Sequence, residues 1–136
     1  MVTLHLACIF VTGLAVLYSD EQALMWVLGK QRTIAPRLVD TLHIIVSIGL
    51  ATIIATGGLM FLGGASYYLH EPIFIAKMVF VGALIINGFL IDRLSVTATE
   101  KPFSELTHVQ RAPLLISGAV SLTGWMGAGL CGLLLA

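Results

Sequence analysis

The chain has 136 residues, of which 58% are hydrophobic and only 10% charged, and its mean hydropathy is +1.01. A soluble domain typically carries about 25% charged residues, so this composition excludes a water-facing globular protein, a disordered tail, a disulfide scaffold and a nucleic-acid binder. Seven basic residues balance seven acidic ones, and the two cysteines, Cys8 and Cys131, lie in apolar runs that mark no disulfide framework.

Four apolar runs follow one another: Val2 to Tyr18, Thr41 to Gly64, Ile73 to Ile91 and Ala112 to Ala136. Each is close to the roughly 20 residues that cross a bilayer as helix. The fold expected is an all-α integral membrane four-helix bundle, one transmembrane domain over residues 1–136, with helices over about 2–28, 41–64, 72–92 and 105–135. The first run has no basic n-region and no small-x-small cleavage site, so it reads as a retained helix. Its pattern continues from Asp20 through Trp26 to Leu28, and Gly29 is the expected stop. Ser104, Glu105 and Leu106 suggest a helical lead-in to the last span, with Pro113 near its start.

Lys30, Arg32 and Arg37 lie between the first and second helices, and Arg93, Lys101 and Arg111 between the third and fourth. The connection from Gly64 to Pro72 has no Lys or Arg. The positive-inside rule therefore puts both basic loops in the cytoplasm and both termini outside, in a bacterial inner membrane.

Helices in lipid associate through small residues and side-chain hydrogen bonds. Gly124, Ala128 and Gly132 recur every fourth residue in the last helix, as do Ser117 and Ser121, while the second helix offers Ala51 with Ala55 and Thr52 with Thr56. These are the expected contact stripes. They also serve a reading in which the chain docks onto a second copy or a larger membrane complex. Gly57-Gly58 and Gly63-Gly64 permit a bend or close packing, and Asn87 is expected to make an interhelical hydrogen bond.

A lysine at mid-helix costs about 2.5 to 3.5 kcal/mol on insertion scales, so Lys77 needs an explanation. Two stand: its stem snorkels to the outer surface, or the ammonium serves a site. His5 enters from the same face at similar depth, with Cys8 on its helical face and Tyr67, Tyr68 and His70 in the short loop above. A second group forms at the opposite side. There Asp40 and His43 stand at i and i+3, and His108 precedes the fourth helix. Asp40 either orients His43 or favours the helix N-terminus through the dipole. Asp92 and Arg93 read as the solvated end of the third helix. No CxxC, HExxH, GxSxG, Walker loop or dinucleotide fingerprint is present.

The segment Ala65-Ser66-Tyr67-Tyr68-Leu69-His70-Glu71-Pro72-Ile73-Phe74-Ile75-Ala76-Lys77, with Asp40, Glu21 and the Gly57-bearing second helix, resembles an uncharacterised family of small four-span bacterial membrane proteins. More distantly, the chain is similar to the four-helix membrane protoporphyrinogen oxidases and their haem-binding relatives, which place a histidine early in helix one and a lysine in helix three. That resemblance implies His5 as an axial ligand to haem iron and Lys77 as a second ligand or anion partner. Asn87 stands where that family tends to show histidine, and the tryptophan-rich context of helix one is missing, which separates tetrapyrrole binding from oxidase activity. A comparison with membrane cytochromes of the b561 type leaves one inner haem between His43 and His108, since the last helix has no histidine.

The functional expectation is a membrane-embedded protein that binds haem b or a porphyrin, with a redox role. His5, Lys77, Tyr67, Tyr68 and His70 form its site, and His43, His108 and Asp40 form a second candidate. Whether it is an enzyme stays open. The alternatives are a non-enzymatic accessory subunit of a larger membrane complex and a copper or small-solute transporter resembling four-span copper-resistance proteins. A metal ion in the bundle would take His5, Cys8 and Met78 as donors, without tight ligand spacing, and the absence of regular methionine clusters weighs against copper transport. The partners expected are the lipid bilayer and, through the small-residue faces, a second copy or a larger complex.

Overall fold

The computed structural model describes residues 1–136. It is helical throughout, in the order α1 (Val2–Val27), α2 (Pro36–Leu62), the single turn α3 (Ala65–Tyr68), α4 (Pro72–Glu100), a 3₁₀ turn (Phe103–Glu105) and α5 (His108–Leu135). The four long helices are each long and apolar enough to cross a membrane. α1 packs chiefly on α2, and α4 on α5, so the bundle consists of two hairpins that meet along a more sparsely packed seam. The end of the bundle with both termini and α3 is called here the terminal end. The other, with the two basic loops, is the loop end.

Proline sets two of the starts. Pro36 opens α2 and Pro72 opens α4, positions where the missing N–H has no intrahelical partner and the fixed φ already suits a helix. α5 begins with a capping box, in which Thr107 Oγ1 accepts from the Gln110 N–H at 3.3 Å and Gln110 Oε1 accepts from the Thr107 N–H at 3.1 Å. α1 ends as expected at Gly29, whose φ of +77° is open to glycine at little steric cost.

Three boundaries differ from the sequence reading, two of them, in α2 and α4, for one reason. α2 begins at Pro36 rather than near 41, and α4 continues to Glu100 rather than stopping near 92. α5 starts at His108 after a 3₁₀ turn, so Pro113 lies inside it. Hydropathy marks where an apolar stretch ends, whereas the helices carry on past that point because their inward faces still have partners. Leu38 and Val39 in the first turn of α2 and Ala98 near the end of α4 pack around Trp26.

That cluster closes the loop end. Trp26, 2% exposed, is buried with Ile34, Ala98 and Leu106, and its ring meets Phe103 edge-on at 5.2 Å. The Trp26 indole N–H donates to the Lys101 carbonyl at 2.9 Å, and the Ile34 N–H donates to the Ala98 carbonyl at the same distance. The α1–α2 loop is thereby fastened to the end of α4, bridging the two hairpins.

Along the spans the usual distribution of side chains is reversed. Phe10, Phe89, Leu62 and Leu133 point outward, while His5, Thr12, Thr56, Asn87, Ser117 and Ser121 are buried. Gly124 and Gly127 let α5 approach α4, because a Cβ at either would run into Leu84 or Phe80 respectively. The expected Asn87 bond is present: Asn87 Nδ2 donates to the Ser117 carbonyl at 3.1 Å, and Ser117 Oγ donates to Asn87 Oδ1 at 2.7 Å. The Ala51 and Ala55 pair is different. Both residues are exposed on the outer face of α2 and make no helix contact stripe, since the inward face runs through Gly49 and Thr56.

Candidate functional site

The polar groups inside the bundle form two layers. At the terminal end the His5 ring from α1 is 6% exposed and its Nδ1 lies 2.8 Å from Thr56 Oγ1 on α2. The Thr56 hydroxyl also lies 2.8 Å from the Thr52 carbonyl one turn back. A hydroxyl has one proton, and a carbonyl can only accept. With that proton directed to Thr52, the Thr56 oxygen accepts from His5 Nδ1–H; with it directed to His5, Nδ1 accepts and Nε2 carries the ring proton. Gly57 makes the approach possible, since a Cβ there would stand 3.2 Å from the His5 Cε1 atom.

Lys77 reaches the same layer from α4. A Cβ on Gly132 would lie 3.5 Å from its Nζ, so the ammonium is directed at the glycine face of α5, beside Cys131. No carboxylate pairs with it, because the sole ion pair in the molecule is elsewhere. His5 is the fourth residue of α1 and Lys77 the sixth of α4, so both enter from the terminal end, one from each hairpin.

The three loop residues sit beside this layer rather than on it. Tyr68 packs among Phe61, Phe74 and Tyr67, with ring centroids 5.2 to 6.3 Å away. Tyr67 is exposed, and His70 Nδ1 bonds to the Ser66 carbonyl at 2.9 Å within its own loop. They cap the junction of α2 and α4. Met78 is exposed on α4, so a set of His5, Cys8 and Met78 is not assembled around one point.

The second sequence candidate is dispersed. His43 Nε2 lies 3.6 Å from Asp92 Oδ1 on α4, a pair that spans the seam. Asp40 is exposed within α2, short of any cap position, and His108 is exposed in the first turn of α5. Asp92 is thus neither the end of α4 nor an isolated surface charge.

Between the hairpins a narrow cleft of about 200 Å³ runs from this level past mid-bundle, lined by residues of all four long helices from Trp26 at one end to Trp125 at the other. Asp20, Asn87, Ser121, His43, Trp26 and Trp125 are among them. The Asp20 Oδ2 atom is buried with no hydrogen-bond partner. Sequence reasoning passed over Asp20 as part of a projecting helix. Its signal was its place on the inward face, one turn after buried Val16 and six residues before buried Trp26.

Comparison with known protein families, characterised proteins and solved structures finds no match. The class the fold defines is a bundle of four helices of membrane-crossing length and apolarity, with a polar seam between two hairpins.

Proposed function

We propose that the chain is a multi-pass protein of the bacterial inner membrane that holds a b-type haem or a related tetrapyrrole at the terminal end of its seam. The observation that supports this reading is the place of His5: buried, with Nδ1 held 2.8 Å from Thr56 Oγ1, while Lys77 enters from the same end on the opposite hairpin. Metal-ligating histidines characteristically donate their other ring N–H to such a partner, which fixes orientation and raises basicity.

The residues present fit the group. An imidazole nitrogen with its lone pair exposed would hold the iron of such a group, and the Lys77 side chain would pair with a propionate carboxylate as the ammonium or ligate only after losing its proton. Gly57 and Gly132 let the His5 ring and the Lys77 ammonium approach the helices that face them. The seam is the least densely packed boundary in the bundle, so a flat ligand enters by parting the hairpins rather than by opening either one. When bound, the tetrapyrrole supplies one-electron chemistry. The chain's own part is to hold the His5 ring against Thr56, to place a positive charge opposite it, and to exclude water with apolar walls.

Outward-facing phenylalanines and leucines with buried hydroxyls, amide and imidazole support the membrane reading, because that distribution suits hydrocarbon surroundings. The basic residues at the loop end support a cytoplasmic loop end and both termini outside. Reporter fusions at the C-terminus test the orientation: alkaline phosphatase should be active there and green fluorescent protein dark.

The site is tested by Thr56→Val, which keeps shape and removes the acceptor for Nδ1–H. Loss of an outer-shell partner of this kind typically costs about 10 to 100-fold in affinity, so haem should bind that much more weakly while the helical content is unchanged. Unaltered affinity in Thr56→Val together with full occupancy in His5→Ala would remove His5 from the site.

A further inference from the structure

Asp20 is a carboxylate that neither an ion pair nor a hydrogen bond accounts for. Its Oδ2 atom is buried and unpartnered, and no Lys, Arg or His lies within ion-pair distance of it, since the sole ion pair joins His43 to Asp92. It borders the cleft between the hairpins. α4 and α5 line that cleft with no titratable side chain, and α2 with one, His43. The other charged groups at this level turn away: Glu21, Arg37, Asp40 and Arg93 are exposed, and Arg111 is directed at the Phe103 ring and the Ser104 carbonyl.

His43 stands at the depth of Asp20. His5 meets Thr56, and Gly49 lies against Thr12, which fixes the register between α1 and α2. Counted from Thr12 and Gly49, Asp20 is eight residues and His43 six residues nearer the loop end. At about 1.5 Å per residue their depths differ by about 3 Å. His43 also reaches the other way, because its Nε2 is 3.6 Å from Asp92 Oδ1, whose side chain is 69% exposed against 35% for His43. One imidazole therefore borders the cleft on one side and an exposed carboxylate on the other.

An ionisable group inside a membrane bundle is costly to keep, and linked Asp, Glu and His side chains there serve as proton relays. Histidine suits the middle place, since one ring nitrogen takes up a proton while the other gives one away. We propose that Asp92, His43 and Asp20 form a proton-uptake path from the loop end into the cleft. A proton passes from Asp92, or from water beside it, to His43 Nε2 and makes the imidazolium. His43 Nδ1–H then gives its proton, through water in the cleft, to the Asp20 carboxylate. The imidazole is left neutral and Asp20 becomes the carboxylic acid, so protons and charge balance. The path shares no residue with the His5 layer and is independent of the tetrapyrrole reading.

Time-resolved infrared difference spectra of the full chain in lipid nanodiscs test it, with protons released by a flash from a caged acid. The carbonyl stretch of protonated carboxyl groups is followed, and subtracting the signal of Asp20→Asn isolates Asp20. In His43→Gln the Asp20 signal should rise at least about tenfold more slowly, the loss expected when a positioned proton carrier is removed, and should reach the same final amplitude. No difference between the unaltered chain and Asp20→Asn, or an Asp20 signal that rises equally fast in His43→Gln, overturns the proposal. If Asp20→Asn fails to fold, carboxyl-labelled aspartate in a chain carrying Asp40→Asn and Asp92→Asn marks Asp20 alone, and the His43→Gln comparison made there has the same two outcomes.

Discussion

The two ends of the seam use polar residues in an apolar bundle to opposite effect. At the terminal end, Gly57 and Gly132 remove the side chains that would hold the helices apart, and the polar groups come to rest against glycine faces. At the loop end, Trp26, Ile34 and Leu106 form a bulky wedge between the hairpins, and above it the walls stay apart, leaving Asp20 beside open space. Size, more than polarity, decides the outcome. Small residues close a layer around an oriented imidazole, while large ones prop a cavity open around an unpaired carboxylate.

That contrast breaks most readily at the wedge. Trp26→Ala removes a buried indole, its edge-on contact with Phe103 and its hydrogen bond to the Lys101 carbonyl, and should destabilise the bundle by about 3 to 5 kcal/mol. Denaturation in mixed micelles, followed by circular dichroism, measures it. Next in size is Gly127→Ala, whose Cβ would enter the Phe80 ring. Overpacking of this kind costs about 1 to 3 kcal/mol, whereas Gly58→Ala, which meets open space, should leave the midpoint within experimental error.

The pair formed by Asn87 and Ser117 sharpens the comparison at mid-seam. A double-mutant cycle on Asn87→Ala and Ser117→Ala should give a coupling of about 0.6 kcal/mol and no more than about 1.7, the range for side-chain hydrogen bonds between membrane helices. The smallest effect belongs to Asp92→Asn. Its carboxylate is largely exposed and stands 3.6 Å from His43, so the change should stay below about 1 kcal/mol.

Much of this architecture was legible in the sequence, and the reasons for the rest are specific. The apolar runs found all four spans, Gly29 gave the end of α1, and the Ser117, Ser121 and Gly124 positions are buried as their spacing suggested. Helix ends beyond the apolar runs were missed because Asp92, Arg93 and Arg37 interrupt hydropathy without interrupting helix. Faces were harder still. In α2 nearly every position is apolar or small, so periodicity did not distinguish the exposed Ala51 and Ala55 from the buried Thr56 one residue further on. Equal depth placed His5 and Lys77 in one layer, but their hydrogen-bond and glycine neighbours needed the packed helices. Asp20 remained unnoticed because its meaning lies in what surrounds it, a cavity made by residues far apart in the chain.

The central claim is that His5 is a preorganised axial ligand. It is tested most directly by the optical spectrum of the detergent-purified chain, oxidised and dithionite-reduced, after expression with ample haem. The account predicts a stoichiometric Soret band with sharp reduced alpha and beta bands, abolished in His5→Ala and restored in part by added imidazole. A well-folded chain that takes up neither haem nor porphyrin, or a His5→Ala variant with an unaltered spectrum and full occupancy, would contradict it.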